Sequence, residues 1–178
     1  MRRLHGGING RLNGRLGGGE GEGRFSFTTS LGSATICWTR EGISRVSLPG
    51  NGSRGEPPRG QPPKEAVRLA REVQAYFQGK QPSLDARMDL SGTTAFQRSV
   101  YKAARSIPPG AVRTYGEIAR KIGRPGAARA VGTALGKNPI PLLIPCHRVV
   151  GSTGLGGFSS PGGLSLKKRM LALEARAS

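Results

Sequence analysis

The chain has 178 residues and carries 28 Lys and Arg against 10 Asp and Glu, a formal net charge of +18. That length allows one sizeable core or two small packed units, yet hydrophobic residues make up only 35%, so part of the chain is expected to stay outside any core. Two cysteines, Cys37 and Cys146, are too few for a secreted disulfide framework; no apolar run reaches the ~18 residues of a membrane span; and Arg2 and Arg3 lack a following apolar stretch, so neither a membrane protein nor a secretory signal is expected and a cytoplasmic location is.

Residues 1–24 are Gly, Arg, Asn and Leu in loose alternation and are expected to form a disordered basic tail; a role in holding an anionic partner by charge and a misassigned start codon account for it equally well. Phe25-Ser26-Phe27, Ala34 to Trp38 and Ile43 to Leu48 read as strands, with Gly42 before the last, and predict a small antiparallel sheet. Cys37 is expected in its core. Residues 49–63, rich in Gly and Pro, form a loop. From Pro63 the spacing turns helical: Ala66, Leu69, Ala70, Val73 and Phe77 share one face, and Gly79 ends the helix. Arg87-Met88-Asp89-Leu90 is a candidate further strand. The expected N-terminal domain spans 25–90.

The second half is more strongly patterned. Thr94-Ala95-Phe96-Gln97 is a capping box, followed by Phe96, Val100, Ala103 and Ala104 at helical spacing. Pro108-Pro109-Gly110 is a turn. Thr114-Tyr115-Gly116-Glu117 is a second capping box, opening a short helix through Ile118, Ala119 and Ile122 that Gly123 closes. Pro125 fits the first turn of the next helix, Ala127 to Gly136, with Ala130, Val131 and Leu135 facing inward. Two short helices joined by a glycine-containing turn make a helix-turn-helix candidate, a pattern that many other helical hairpins share. Charge favours nucleic acid: from Arg98 onward there are fourteen Lys and Arg against two acids, Glu117 and Glu174, and clustered cations gain by displacing phosphate counterions. Arg124, Arg129 and Lys137 sit on or beside the second helix. A last helix runs from about Gly163 to Ala175. The expected fold class is α+β: an N-terminal antiparallel sheet with a helix, then a mainly helical domain over 91–178 containing the helix-turn-helix.

Between that pair and the last helix lies Asn138-Pro139-Ile140-Pro141-Leu142-Leu143-Ile144-Pro145-Cys146-His147-Arg148. Three prolines limit its conformations. Most lone cysteines are buried structural residues, but His147 and Arg148 beside this one can both favour thiolate, the form that attacks carbon. One Cys with one nearby His, and His5 and Cys37 remote, does not make a metal site at any familiar spacing.

Ile144-Pro145-Cys146-His147-Arg148-Val149-Val150 resembles the acceptor site of the O6-alkylguanine-DNA alkyltransferases, the methylated-DNA–protein-cysteine methyltransferases. Val112 to Ala119 is similar to that family's first motif helix, Ala127 to Gly132 to its recognition helix, Asn138-Pro139-Ile140-Pro141 to the segment before its active site, and Gly162-Gly163-Leu164 through Leu171-Ala172-Leu173-Glu174 to its C-terminal helix. The resemblance covers residues 93–175.

It implies transfer of an alkyl group from O6-alkylguanine, with O4-methylthymine a further candidate, onto Cys146 in one irreversible displacement without a cofactor. His147, through a bound water, and Glu174 would keep the sulfur as thiolate. Tyr115 would protonate the leaving base at N3; otherwise it is a half-buried core tyrosine. Asn138 would brace the active-site loop. Arg129 would enter the minor groove and replace the flipped nucleotide, or else contact a phosphate. Ala128, Thr114, Arg124 and Lys137 would complete the contact with double-stranded DNA, and a monomer is expected. Val149, Phe158 (where many members carry tyrosine) and Ser159 or Ser160 would line the base pocket; the sequence does not choose between the serines. Two other functions fit less well: a non-catalytic binder of alkylated bases, against which Cys146 itself speaks, and a helix-turn-helix regulator with a redox thiol, for which no dimer segment is evident.

Overall fold

The computed structural model describes residues 21–50 and 55–176. The expected tail lies outside them as far as residue 20, but its last two residues do not belong to a tail: strand β1 is Gly23–Thr29. With β2 (Gly32–Thr39) and β3 (Gly42–Ser47) it forms an antiparallel sheet in the order β1-β2-β3. Both hairpins are tight, pairing Thr29 with Gly32 and Thr39 with Gly42. The alternation of side chains puts Ala34, Ile36 and Trp38 on the inner face. Cys37 therefore points the other way, half-buried between its cross-strand neighbours Arg24 and Arg45, and is not a core residue.

Helix α1 (Lys64–Phe77) buries the expected stripe, Ala66, Leu69, Ala70, Val73 and Phe77, together with Tyr76. Ser30 Oγ, at the β1–β2 turn, donates to Phe77 O at 2.7 Å and ties hairpin to helix. The segment around Met88 does not become a strand. It makes one parallel bridge to Ile43, after which the Asp89 carboxylate accepts from Ser91 N and Thr39 Oγ1 and turns the chain away.

Helix α2 (Ala95–Arg105) and helix α3 (Tyr115–Lys121) each begin with the expected capping box, formed by Thr94 with Gln97 and by Thr114 with Glu117. Helix α4 is Ala128–Gly136. Pro125 is not in its first turn: Gly126 follows at φ 91°, a left-handed conformation that no helix start uses and that glycine takes readily. The inward stripe of α4 is Val131, Ala134 and Leu135; Ala130 falls at its edge and is exposed.

Residues 140–149 are all buried. Within them Ile144 N returns to Ile140 O at 3.0 Å, and Leu142 takes φ 76° at the tip of the loop so formed. A 3-10 turn, Cys146–Arg148, follows. It leads into β5 (Val149–Val150), which pairs in parallel with β4 (Arg113–Thr114), the strand just ahead of α3. The last helix, α5 (Gly163–Ala175), packs on the 3-10 turn and on α1. The buried side chains of both halves form one continuous cluster, and Val46 N of β3 donates to Pro139 O at 2.9 Å. No helix among the described residues is long and apolar enough to cross a membrane.

Candidate active site

Cys146 lies at the floor of a cleft of about 500 Å³ lined by Tyr115, Ala128, Arg129, Leu135, Phe158 and Ser159, with glycines 132, 136 and 157. The sulfur-bearing residue is 9% exposed, so a reacting group must enter the cleft to reach it. α3 supplies Tyr115 and α4 supplies Ala128 and Arg129; the segment from Gly156 to Ser159 forms the opposite lip. The glycines bring backbone close to the ring of Tyr115. Gly156 has φ 68°, and a Cβ built there would stand 2.7 Å from Tyr115 Cε2. The Tyr115 hydroxyl donates to Gly157 O at 3.4 Å. Burial pushes this phenol up, and the neighbouring Cys146 adds to the shift, so Tyr115 holds its proton at neutral pH.

Ser159 lines the cleft, and its hydroxyl donates to Gly136 O at 2.9 Å, pinning the lip to the end of α4. Ser160 is not among the lining residues; its carbonyl accepts from Gly163 N at 2.8 Å at the start of α5. Val149 is also not a pocket residue. It is completely buried, and its carbonyl accepts from Lys167 Nζ at 2.7 Å. Both donors of Thr114 go to Glu117, which leaves neither for a phosphate. Arg124, Arg129 and Lys137 are exposed. Asn138 braces the loop as expected: Nδ2 donates to Ile144 O at 2.8 Å, and Oδ1 accepts from Ile140 N at 3.0 Å.

Behind Cys146 lies a buried polar cluster. Glu174 Oε1 accepts from His147 Nε2 at 2.7 Å, from Tyr76 Oη at 2.9 Å and from Arg148 Nη2 at 3.0 Å; Oε2 accepts from Arg148 Nε at 2.9 Å and from Gly110 N at 3.3 Å. Arg148 Nη1 donates to Ile107 O at 2.7 Å. Arg148 therefore faces Glu174, and the expectation that its charge acts directly on the thiol gives way to another cation. Lys167, fully buried on α5, sets its ammonium among Val149 O, Leu155 O and Gly157 O at 2.7, 2.6 and 3.2 Å.

The electrostatics follow from this layout. Burial pushes the Cys146 thiol up; a hydrogen bond with Asn138, the Lys167 charge and the N–H groups of the 3-10 turn pull it down without fully offsetting that rise. Burial holds His147 below its ordinary value despite Glu174, so the imidazole is neutral. With Nε2 donating to Glu174, Nδ1 is its acceptor nitrogen, and among the described residues it has no hydrogen-bond partner. Burial also opposes ionisation of Glu174, but the hydrogen bonds from His147 and Arg148 and the Arg148 charge outweigh it and bring the carboxyl to about 2. The resting pair is thus a protonated thiol and a neutral imidazole held by a permanent carboxylate. Among the described residues no three His, Cys, Asp or Glu cluster as metal ligands.

Sequence reasoning missed Tyr76 and Lys167. Lys167 had a signal: it falls on the buried face of α5 with Leu166, Met170 and Glu174, and a charge on an apolar stripe calls for a partner. Tyr76 had none beyond its place beside Phe77.

Residues 95–176 match the family model described as 6-O-methylguanine DNA methyltransferase, DNA binding domain. A Methanosarcina acetivorans methylated-DNA–protein-cysteine methyltransferase is 40% identical over 151 residues, covering 83% of this chain and 95% of that one. Its Mycolicibacterium paratuberculosis namesake is 49% identical over 117 residues, covering 65% and 69%. The crystal structure of Mycobacterium tuberculosis OGT in complex with DNA superposes with a TM-score of 0.72 at 39% identity, covering 86% of this chain and 94% of that one. On this agreement of sequence and fold, the chain belongs to the methylated-DNA–protein-cysteine methyltransferase family.

Proposed function

We infer that the protein repairs DNA by moving an alkyl group from O6 of guanine to Cys146 Sγ, one molecule per lesion. The observation that carries this reading is the cleft itself: a cysteine at its floor, a tyrosine hydroxyl on its wall and an arginine at its rim, on two short helices that follow one another. A base within a duplex cannot reach a sulfur so enclosed, so the lesion must be turned out of the stack, at a general cost of a few kcal/mol that damaged pairing lowers. Arg129, exposed on α4, would enter from the minor groove and occupy the space left.

In the step proposed, the Cys146 thiol gives its proton through a water to His147 Nδ1, while Glu174 holds the other ring nitrogen and stabilises the imidazolium. Sulfur attacks the alkyl carbon, an S–C bond forms and the C–O6 bond breaks, its electron pair passing into the purine. Tyr115 gives a proton to N3 of the leaving base, so neutral guanine departs. Solvent later takes the proton from His147 and returns one to Tyr115. The thioether product has no leaving group for water to displace, so the thiol is not regenerated. Phe158 and Ser159 would bound the base from the lip.

Intact mass tests this reading. Mixing with a duplex containing one O6-methylguanine should add one methylene unit, localised to Cys146, with no gain in Cys146→Ala; unchanged mass under conditions where the duplex is bound would favour a non-catalytic binder. Arg129→Ala should slow transfer from duplex DNA by about tenfold or more, as loss of ~1.4 kcal/mol of flipping support requires, while leaving transfer from free O6-benzylguanine within about twofold of wild type. Equal losses on both substrates would argue against a flipping role.

A further inference from the structure

We propose that Tyr76, carried by α1 in the N-terminal half of the chain, is a positioning residue of the acceptor site that tempers the basicity of His147 through the Glu174 oxygen they share. The proposal rests on the reading of Cys146 as alkyl acceptor.

Its basis is geometric. Tyr76 is 4% exposed. Its hydroxyl stands 2.9 Å from Glu174 Oε1 and 3.5 Å from His147 Nε2, and its ring meets that of His147 edge-on at 6.4 Å between centroids. Glu174 Oε1 is the oxygen that accepts from His147 Nε2. A tyrosine used only to fill space between α1 and α5 would do so with its ring; this one directs a hydroxyl donor at the carboxylate oxygen on which the imidazole depends. Burial, and next the Glu174 charge, push the phenol far above its ordinary value, so it remains a donor across the accessible pH range.

Two donors on one oxygen share its electron density. Each hydrogen bond from Tyr76 lessens the pull of Oε1 on the His147 Nε2 proton and so makes Nδ1, the nitrogen that takes the thiol proton, a weaker base. The other charged groups that act on the imidazole are Glu174 and Lys167 from α5 and Arg148 from its own turn. Among the described residues none of these comes from the N-terminal half, and Tyr76 brings a hydroxyl from that half to the carboxylate of the proton relay.

The test is the rate of alkyl transfer to Cys146 against pH for Tyr76→Phe, which keeps the ring, in the full chain. Imidazole must be neutral to take the thiol proton, so the rate falls on the acid side as His147 protonates. With the hydroxyl gone His147 is more basic, and the acid limb should move up by about half to one pH unit, a three- to tenfold loss at fixed acid pH, with the plateau at higher pH equal to or above wild type. A residue that only packs would lower the plateau and leave the limb in place. A uniform loss at every pH, or an unchanged profile, overturns the proposal. Should the phenylalanine variant fail to fold, 3-fluorotyrosine placed at position 76 alone keeps the shape and strengthens the donor, and the limb should then move down; no movement overturns the proposal. The final methylene gain on Cys146 is read in the same samples: its absence in wild type would sink the acceptor reading, whereas its presence with an unmoved limb would sink only the role of Tyr76.

Discussion

Glu174→Gln should destabilise the fold by about 3–5 kcal/mol, the usual result of removing one member of a buried ion pair, and should abolish most of the transfer activity. Glu174 is 2% exposed and accepts every hydrogen bond that Arg148 and His147 direct at it from their Nε, Nη2 and Nε2 atoms. An amide offers one acceptor oxygen in place of two and turns an NH₂ group toward donors, so the guanidinium is left buried without its counter-charge. The variant should also lose part of the pH dependence of stability. The free carboxyl titrates near 4.5 and the folded one at about 2. As acid is added the unfolded chain takes up this proton first. The stabilisation is therefore complete above pH 4.5, on the order of 3 kcal/mol from the size of the shift, and is lost as the pH falls toward 2. His147 adds to the acid loss from its ordinary value of 6.5 downward, because the folded state resists its protonation. Denaturant midpoints at a series of pH values measure both effects. Wild type should weaken steadily from about pH 6.5 down to pH 3, whereas Glu174→Gln should start lower and lose less across the carboxyl range, where Asp89 and Glu117, also held below their ordinary values by their hydrogen bonds, still contribute. An unchanged midpoint at neutral pH would show that the cluster contributes nothing net to folding.

Lys167→Met is the second large effect. The methionine keeps the length and apolar stem but removes the ammonium that holds three carbonyls, those of Val149, Leu155 and Gly157. Leaving a buried acceptor without a donor costs about 1–3 kcal/mol, and the Gly157 carbonyl belongs to the lip of the cleft, with that of Leu155 just ahead of it. The same charge lowers the Cys146 thiol against the opposing effect of burial. Transfer at neutral pH should therefore fall about tenfold or more, the factor that ~1.4 kcal/mol of lost support commands, and the deficit should shrink at alkaline pH, where the thiol ionises without help. A deficit that is constant across pH would assign Lys167 to loop anchoring alone.

The legible part of this protein was its local part. Both capping boxes, the stripe of α1 and the limits of α5 could be read because each depends on residues three or four apart along one helix. Cys146, His147 and Asn138 stood out for the same reason, being packed into one proline-rich segment. What could not be read depends on contacts between distant segments. Arg148 looked like a partner of the thiol because it is two residues away, but a 3-10 turn sends adjacent side chains in different directions, and the guanidinium meets Glu174 from the last helix. Val149 and Ser160 neighbour the right residues in sequence yet do not line the cleft. Cys37 looked like core because the strand is apolar on average, whereas the pleat decides face by face. Tyr76 was invisible because its partner lies 98 positions along the chain.

The join between the sheet and the acceptor loop changes what counts as a repair mutation. Val46 N holds Pro139 O, and Tyr76 holds Glu174, from a half of the chain in which none of the recognisable motifs occurs. Pro161, on the far side of the lip, lies so close to Gly50 that a Cβ there would stand 2.6 Å from its own. In a genetic screen for cells that lose resistance to alkylating agents, damaging alleles should accordingly fall along β3, at Gly50 and on the buried face of α1 as well as around Cys146, and a diagnostic that scores only the motif-bearing half would read those alleles as silent.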